Sequence, residues 1–204
     1  MGVNERKERE RSELRGRILE AATHVFVHEG YEKTSIRSIA DKIEYSPGTI
    51  YNYFKDKNDI LFAIHEEAFN KFLEILSSAA DEQHPVERLK KMGDLYLKFV
   101  FENQELYDLM FIDYAPMESI KKASESWDCG MQNYAMLKST VTACIEQGHF
   151  KSSSDIELTT FMIWSQMHGM ASLVIRNRLQ MFEKEQISAL LYTTIANMVA
   201  MYER

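Results

Sequence analysis

TSIRSIADKIEYSPGTIYNYFKDKNDIL, residues 34–61, decides the fold. It holds two short helical patterns separated by Glu44-Tyr45-Ser46. Thr34 or Ser35 can cap the first pattern, whose inner face is Ile36, Ile39, Ala40 and Ile43. Ser46 is a good N-cap for the second. Pro47 stands at its first position, where a missing N–H does no harm. Ile50 and Phe54 continue the shared apolar face, and the small Ala40 lets the two helices approach closely. Two short helices with a tight turn and a common inner face form a helix-turn-helix. That unit is built to put the start of its second helix into a DNA major groove.

The other side of the second helix carries Pro47, Gly48, Thr49, Tyr51, Asn52 and Tyr53, with no carboxylate among them. Hydroxyls and an amide can bond to phosphates and base edges, whereas a carboxylate would be repelled. Gly48 lets the backbone come close, and the first amides of the helix, with Ser46, suit a phosphate. Thr49 can meet a thymine methyl, Asn52 can pair with adenine, and Tyr51 is the third candidate for base contact. Thr34, Ser35, Arg37 and Lys57 flank this surface and are expected on the sugar-phosphate backbone, where contacts position without reading sequence. The competing interpretation is an ordinary surface helix with tyrosines packed sideways.

Outward from this segment the chain is expected to be all-α. Residues 1–10 lack apolar periodicity and read as a flexible arm. Leu14, Ile18, Ala21, Ala22, Val25 and Phe26 repeat at helical spacing, closed by Gly30. Asp56 or Asn58 caps a long fourth helix. Further helical patterns start at Pro85, end before Pro116, run from about Met117 to Gln147, follow "KSSSD", and span about Lys184 to Tyr202. The expected layout is an arm (1–10), a three-helix reading head (11–57) and a bundle of about six helices (58–204).

TSIRSIADKIEYSPGTIYNYFKDKNDIL closely resembles the DNA-binding domain of the TetR/AcrR family of transcriptional regulators. The preceding ILEAATHVFVHEGYEKT is similar to that family's first helix and its link to the second, so the resemblance covers about residues 11–65. It implies a homodimer of all-helical subunits that binds double-stranded operator DNA through the head. The bundle would hold a small apolar or amphipathic effector and form the dimer. The family's DNA contacts fall on Thr34 to Ser35, Arg37, Pro47, Gly48, Thr49, Tyr51, Asn52, Tyr53 and Lys57. One departure is Glu44, where the family often has glycine; a left-handed non-glycine residue there costs roughly 1–2 kcal/mol.

Charge is uneven along the chain. Residues 1–57 hold 11 Lys+Arg against 10 Asp+Glu, whereas residues 58–204 hold 13 against 21. A near-neutral head on an acidic remainder can still present a basic face. The charged N-terminus and the lack of a long apolar run argue for a cytoplasmic protein with no membrane span. Cys129 and Cys144 read as reduced core thiols.

Eleven of the twelve methionines follow residue 91, and "YDLMFIDY" and "SWDCGMQNYAM" concentrate aromatic and thioether groups. Tyr107, Met110, Phe111, Tyr114, Trp127, Met131, Tyr134, Trp164, Met167 and His168 are the candidates for an apolar effector cavity, with plain core packing as the alternative. "WSQMHGM" is similar to a Trp-x-x-x-His-Gly pattern of one TetR subgroup, and Gly169 and Ala171 there would admit a neighbouring helix. No metal, cofactor or catalytic residue is expected. Glu146-x-x-His149 straddles a helix end, and the neighbours His65, Glu66 and Glu67 point in different directions. The alternatives are a TetR-type activator, or a helical small-molecule-binding protein or enzyme that retains the head.

Overall fold

The computed structural model describes residues 2–113, 116, 127–151 and 155–203. Among them the secondary structure is helical, apart from one isolated bridge between Phe150 and Glu203. We number the helices α1 (Val3–Glu29), α2 (Ile36–Lys42), α3 (Pro47–Tyr51), α4 (Lys57–Ser77), α5 (Pro85–Glu102), α6 (Gln104–Tyr107), α7 (Asp128–Glu146), α8 (Ile156–Ile175) and α9 (Lys184–Ala200). A single π-helical turn, Asp108–Ile112, continues α6. Tyr114, Ser153, Ser154 and the start of the helix expected from Met117 lie outside the described residues.

The chain forms two compact units. The first comprises residues up to Ala68 with the segment after Glu105; the second comprises Phe69–Gln104 and the residues from Trp127 onward. Helix α4 contributes to both. Lys57 to Ala68 belong to the first unit and Phe69 to Ser77 to the second.

The expected flexible arm over residues 1–10 is helical from Val3 onward. Its local chemistry accounts for the helix. The Glu5 carboxylate accepts from the Gly2 N–H at 2.8 Å, and Arg6–Glu10 and Arg9–Glu13 pair one turn apart at 2.7 and 3.7 Å. Such exposed pairs add roughly 0.2–0.5 kcal/mol each, and no Gly or Pro interrupts them before Gly16. Helix α1 ends where Gly30 takes φ 84 and its N–H donates to the Phe26 carbonyl.

The core of the first unit gathers Ile18, Ala22 and Phe26 of α1, Ile36, Ile39 and Ala40 of α2, and Ile50 of α3, with Ile60, Leu61 and Ile64 of α4. Leu109, on the π turn, joins the same cluster. Each large side chain buried here stabilises by roughly 1.5–3 kcal/mol.

In the second unit α5 buries Val86, Leu89, Met92, Tyr96 and Val100 and packs against α7, α8 and α9. Gly93 is where α5 and α9 meet. A Cβ there would stand 2.8 Å from Ile195 Cγ2. Phe72 lies between Tyr96 and Phe99, at centroid separations of 5.2 and 4.8 Å. Both cysteines are free thiols, Cys144 buried and Cys129 half-buried.

Candidate nucleic-acid interface

The α2–α3 hairpin is set by its caps. Ser35 Oγ accepts from the Ser38 N–H at 3.1 Å, and Ser46 Oγ accepts from the Thr49 N–H at 3.2 Å. Each such cap is worth about 1 kcal/mol. Pro47 occupies the first turn of α3. Between the helices Glu44 adopts φ 61, so the left-handed turn residue is a glutamate and its strain is accepted. The Tyr45 N–H then reaches back to the Ala40 carbonyl at 3.0 Å.

This frame fixes which side chains face solvent. Ile50 is fully buried and Phe54 nearly so. Gly48, Tyr51 and Asn52 are exposed, with Tyr51 at 57%; Pro47, Thr49 and Tyr53 are half-exposed. The start of α3 is therefore open to solvent and bears no acid. Arg37 is exposed too and forms a long ion pair, 4.0 Å, with Asp41.

Two flanking residues differ from expectation. Thr34 is buried, and its hydroxyl donates to the Gly30 carbonyl at 2.9 Å, which shapes the α1–α2 link and leaves little for a phosphate. The Lys57 ammonium is likewise engaged. It donates to the carbonyls of Tyr31 (2.9 Å), Thr34 (3.4 Å) and Glu32 (3.5 Å), and lies 4.3 Å from the Tyr31 ring centroid. It ties the α1–α2 link to the first turn of α4. Asp56, not Asn58, caps that turn, accepting from the N–H groups of Asn58 and Asp59.

A groove of about 530 Å³ runs between the N-terminal part of α1 and the hairpin, lined by Lys7, Arg11, Leu14, Arg17, Tyr45 and Tyr53 together with Glu10 and Glu13. Arg11 sits over the Tyr53 ring and Arg17 over the Tyr45 ring, at 5.9 and 5.4 Å. Sequence reading missed this cationic edge. Its only sequence signal is the run Lys7, Arg11, Leu14, Arg17 along one face of α1; the tyrosines that complete it come from distant positions.

The candidate effector residues divide between the units. Tyr107 and Met110 are buried in the first, and Tyr107 stacks obliquely on the half-buried Phe111 at 4.8 Å. His65, 1% exposed, lies in the same unit; burial depresses its pKa to about 4, against the opposing pull of a backbone hydrogen bond with Met110. In the second unit Trp164 contacts Tyr134 and His168, at 5.9 and 6.2 Å. Burial also lowers the His168 pKa. The Tyr134 hydroxyl donates to Glu157, and burial first, then that carboxylate, pushes its pKa up to about 12. Met167 is buried. Met131 is 59% exposed and stands outside this aromatic group. Trp127 packs edge-on against Phe69 at 5.7 Å. Asn133, which sequence reading passed over, is 7% exposed, and its amide donates to the carbonyls of Phe69 (3.1 Å) and Cys129 (2.9 Å).

A helix-turn-helix with an open, acid-free second helix, in a chain whose remaining described helices form a bundle, defines an all-helical DNA-binding regulator. The chain belongs to the TetR family of bacterial transcriptional regulators. The family model for bacterial regulatory proteins of the tetR family matches residues 18–64, and that for the Tetracyclin repressor-like C-terminal domain matches residues 89–198. An HTH-type transcriptional regulator of Staphylococcus aureus is 34% identical over 95 residues, 46% of this chain; the chain spans about half, 51%, of that protein's length. The fatty acid metabolism regulator protein of Bacillus subtilis is 26% identical over 151 residues, 72% of this chain and 76% of that one. The solved structure of the transcriptional regulator FadR from Bacillus subtilis in complex with stearoyl-CoA matches with a TM-score of 0.73 at 21% identity, over 90% of this chain and 96% of that one. No described helix is long and apolar enough to cross a membrane.

Proposed function

We propose that this protein is a homodimeric, DNA-binding transcriptional repressor released from its operator by an apolar, acyl-type effector. The observation that carries the reading is the open start of α3. Thr49, Tyr51 and Asn52 stand at the surface on a helix held in place by the Ser46 cap and by the burial of Ile50 and Phe54. Thr49, Tyr51 and Asn52 meet the bases; Gly48 lets the backbone approach, and Ser35, Arg37 and the α3 N-terminal amides hold phosphates. Thr34 and Lys57 support that surface from behind.

A twofold partner is favoured by the outer face of α8. Phe161 and Leu173 are exposed there, and Gly169 has open space around it. Together with the exposed Leu190 of α9 they make an apolar surface that a second copy would cover. Dimerisation sets two reading heads about one DNA turn apart, roughly 34–36 Å. The stearoyl-CoA held by the Bacillus subtilis FadR structure favours a long acyl chain as effector. Helix α4 belongs to both units, so an effector that favours one setting of α4 would shift the balance between operator-bound and free states.

Mobility shift with fragments of the source genome tests the reading. A fragment retained specifically at moderate salt and released by a long-chain acyl thioester is the expected result. Failure of every fragment to bind would refute it.

A further inference from the structure

Among the described residues of the second unit, two buried polar atoms lack a hydrogen-bond partner: Trp127 Nε1, a donor, and Asn133 Oδ1, an acceptor. A buried polar group left unpaired carries its full desolvation cost, so such atoms ask for an explanation. The Asn133 orientation follows from its neighbours. Its nitrogen faces two carbonyls, those of Phe69 and Cys129, which only an N–H can satisfy, so the oxygen is the atom left over.

Both residues adjoin Phe69: the Trp127 ring packs on its ring and the Asn133 amide donates to its carbonyl. Gly130 and Asn133 are three residues apart and so adjoin on the helix surface. The Trp127 indole lies directly on Gly130. A Cβ at that position would come within 2.1 Å of indole Cε2, so only glycine admits the ring there. The indole is thus laid along α7 on the same side as Asn133, with Phe69 of α4 against its edge.

We propose that Trp127 and Asn133 form the polar anchor of the effector site, selecting a neutral head group that carries both an acceptor and a donor. A carboxamide on an apolar chain is the simplest such group with the two functions on separate atoms. This rests on the effector reading above and refines it. The indole N–H donates to the ligand carbonyl, and Asn133 Oδ1 accepts from the ligand N–H. A carboxylate is disfavoured, because it would set an anion against the Asn133 oxygen. The Asn133 amide also holds the Phe69 carbonyl, on the residue where α4 enters the second unit. Ligand binding at this anchor therefore acts on the α4 backbone directly.

The test is calorimetry of the full-length protein with three probes of equal chain length: octanamide, methyl octanoate and sodium octanoate. The anchor predicts octanamide as the tightest. Asn133→Leu should weaken octanamide by roughly three- to tenfold, one buried hydrogen bond, and leave methyl octanoate unchanged, since the ester has no N–H to lose. Trp127→Phe keeps an aromatic ring against Phe69 and should weaken both amide and ester by a similar factor. It reads the anchor independently if the Asn133 variant fails to fold. Equal binding of amide and ester to the wild type, as when water alone satisfies both atoms, overturns the anchor and leaves the effector site standing. So does an amide preference that survives Asn133→Leu. Absence of binding by every probe overturns the anchor; the effector reading is judged separately, by release of the retained fragment with a long-chain acyl thioester.

Discussion

Glu44 shows how one residue records a compromise. Its φ of 61 is a conformation that glycine adopts freely and a glutamate does not. Glu44→Gly is expected to raise thermal stability by about 1 kcal/mol, the left-handed strain less the extra chain entropy of glycine. It also removes an acid from the hairpin, so operator affinity should not fall; a lower melting temperature would contradict the strain argument. Lys57 makes the complementary case. Its ammonium is committed to three carbonyls, so Lys57→Ala is expected to destabilise the protein by about 1–2 kcal/mol while leaving the salt dependence of DNA binding unchanged. A salt slope reduced by about one phosphate would return Lys57 to the DNA contacts. The serine caps, Pro47 and the burial of Ile50 were all legible in the sequence, because each depends on neighbours within a turn. The engagement of Lys57 and the orphaned pair at Trp127 and Asn133 were not. Both arise from groups tens of residues away, such as the Tyr31 and Phe69 carbonyls.

At the scale of helices, close approach is purchased with glycine. Gly93 leaves no room for a methyl group beside Ile195, so Gly93→Ala is expected to cost about 1–3 kcal/mol by forcing α5 and α9 apart, despite the better helix propensity of alanine. Chemical denaturation measures this directly; a neutral or stabilising result would show that Ile195 can repack. Helix α4 carries the buried His65, whose pKa falls from 6.5 to about 4 through burial. The folded state therefore prefers the neutral ring. The stability this preference contributes is complete above pH 6.5 and is lost as pH falls toward 4. About 3 kcal/mol should disappear across that window, and His65→Leu should remove most of this acid-side slope. An unchanged slope would mean that other groups titrate there. Helix periodicity located α2 through α5, α8 and α9 from sequence. It missed the N-terminal extension of α1, where polar pairs replace the apolar stripe.

For the molecule as a whole, the division into two units cuts through α4, between Ala68 and Phe69, and groups residues after Glu105 with the head. Sequence reading set the boundary at residues 57/58, where three short helical patterns give way to a long fourth one; spatial grouping is a tertiary property that no local pattern reports. The exposed apolar face of α8 belongs to this scale as well. Sedimentation at micromolar concentration should give twice the 23.8 kDa subunit mass, and Phe161→Glu should shift the protein toward monomer. The central claim concerns the start of α3. Footprinting of a retained genomic fragment, with wild type beside Tyr51→Ala, tests it most directly. The account predicts two protected half-sites about one helical turn apart for the wild type, and for Tyr51→Ala a loss of about 1–3 kcal/mol in operator affinity at unchanged helical content. Undiminished protection by Tyr51→Ala, or no protection by either protein, would contradict it.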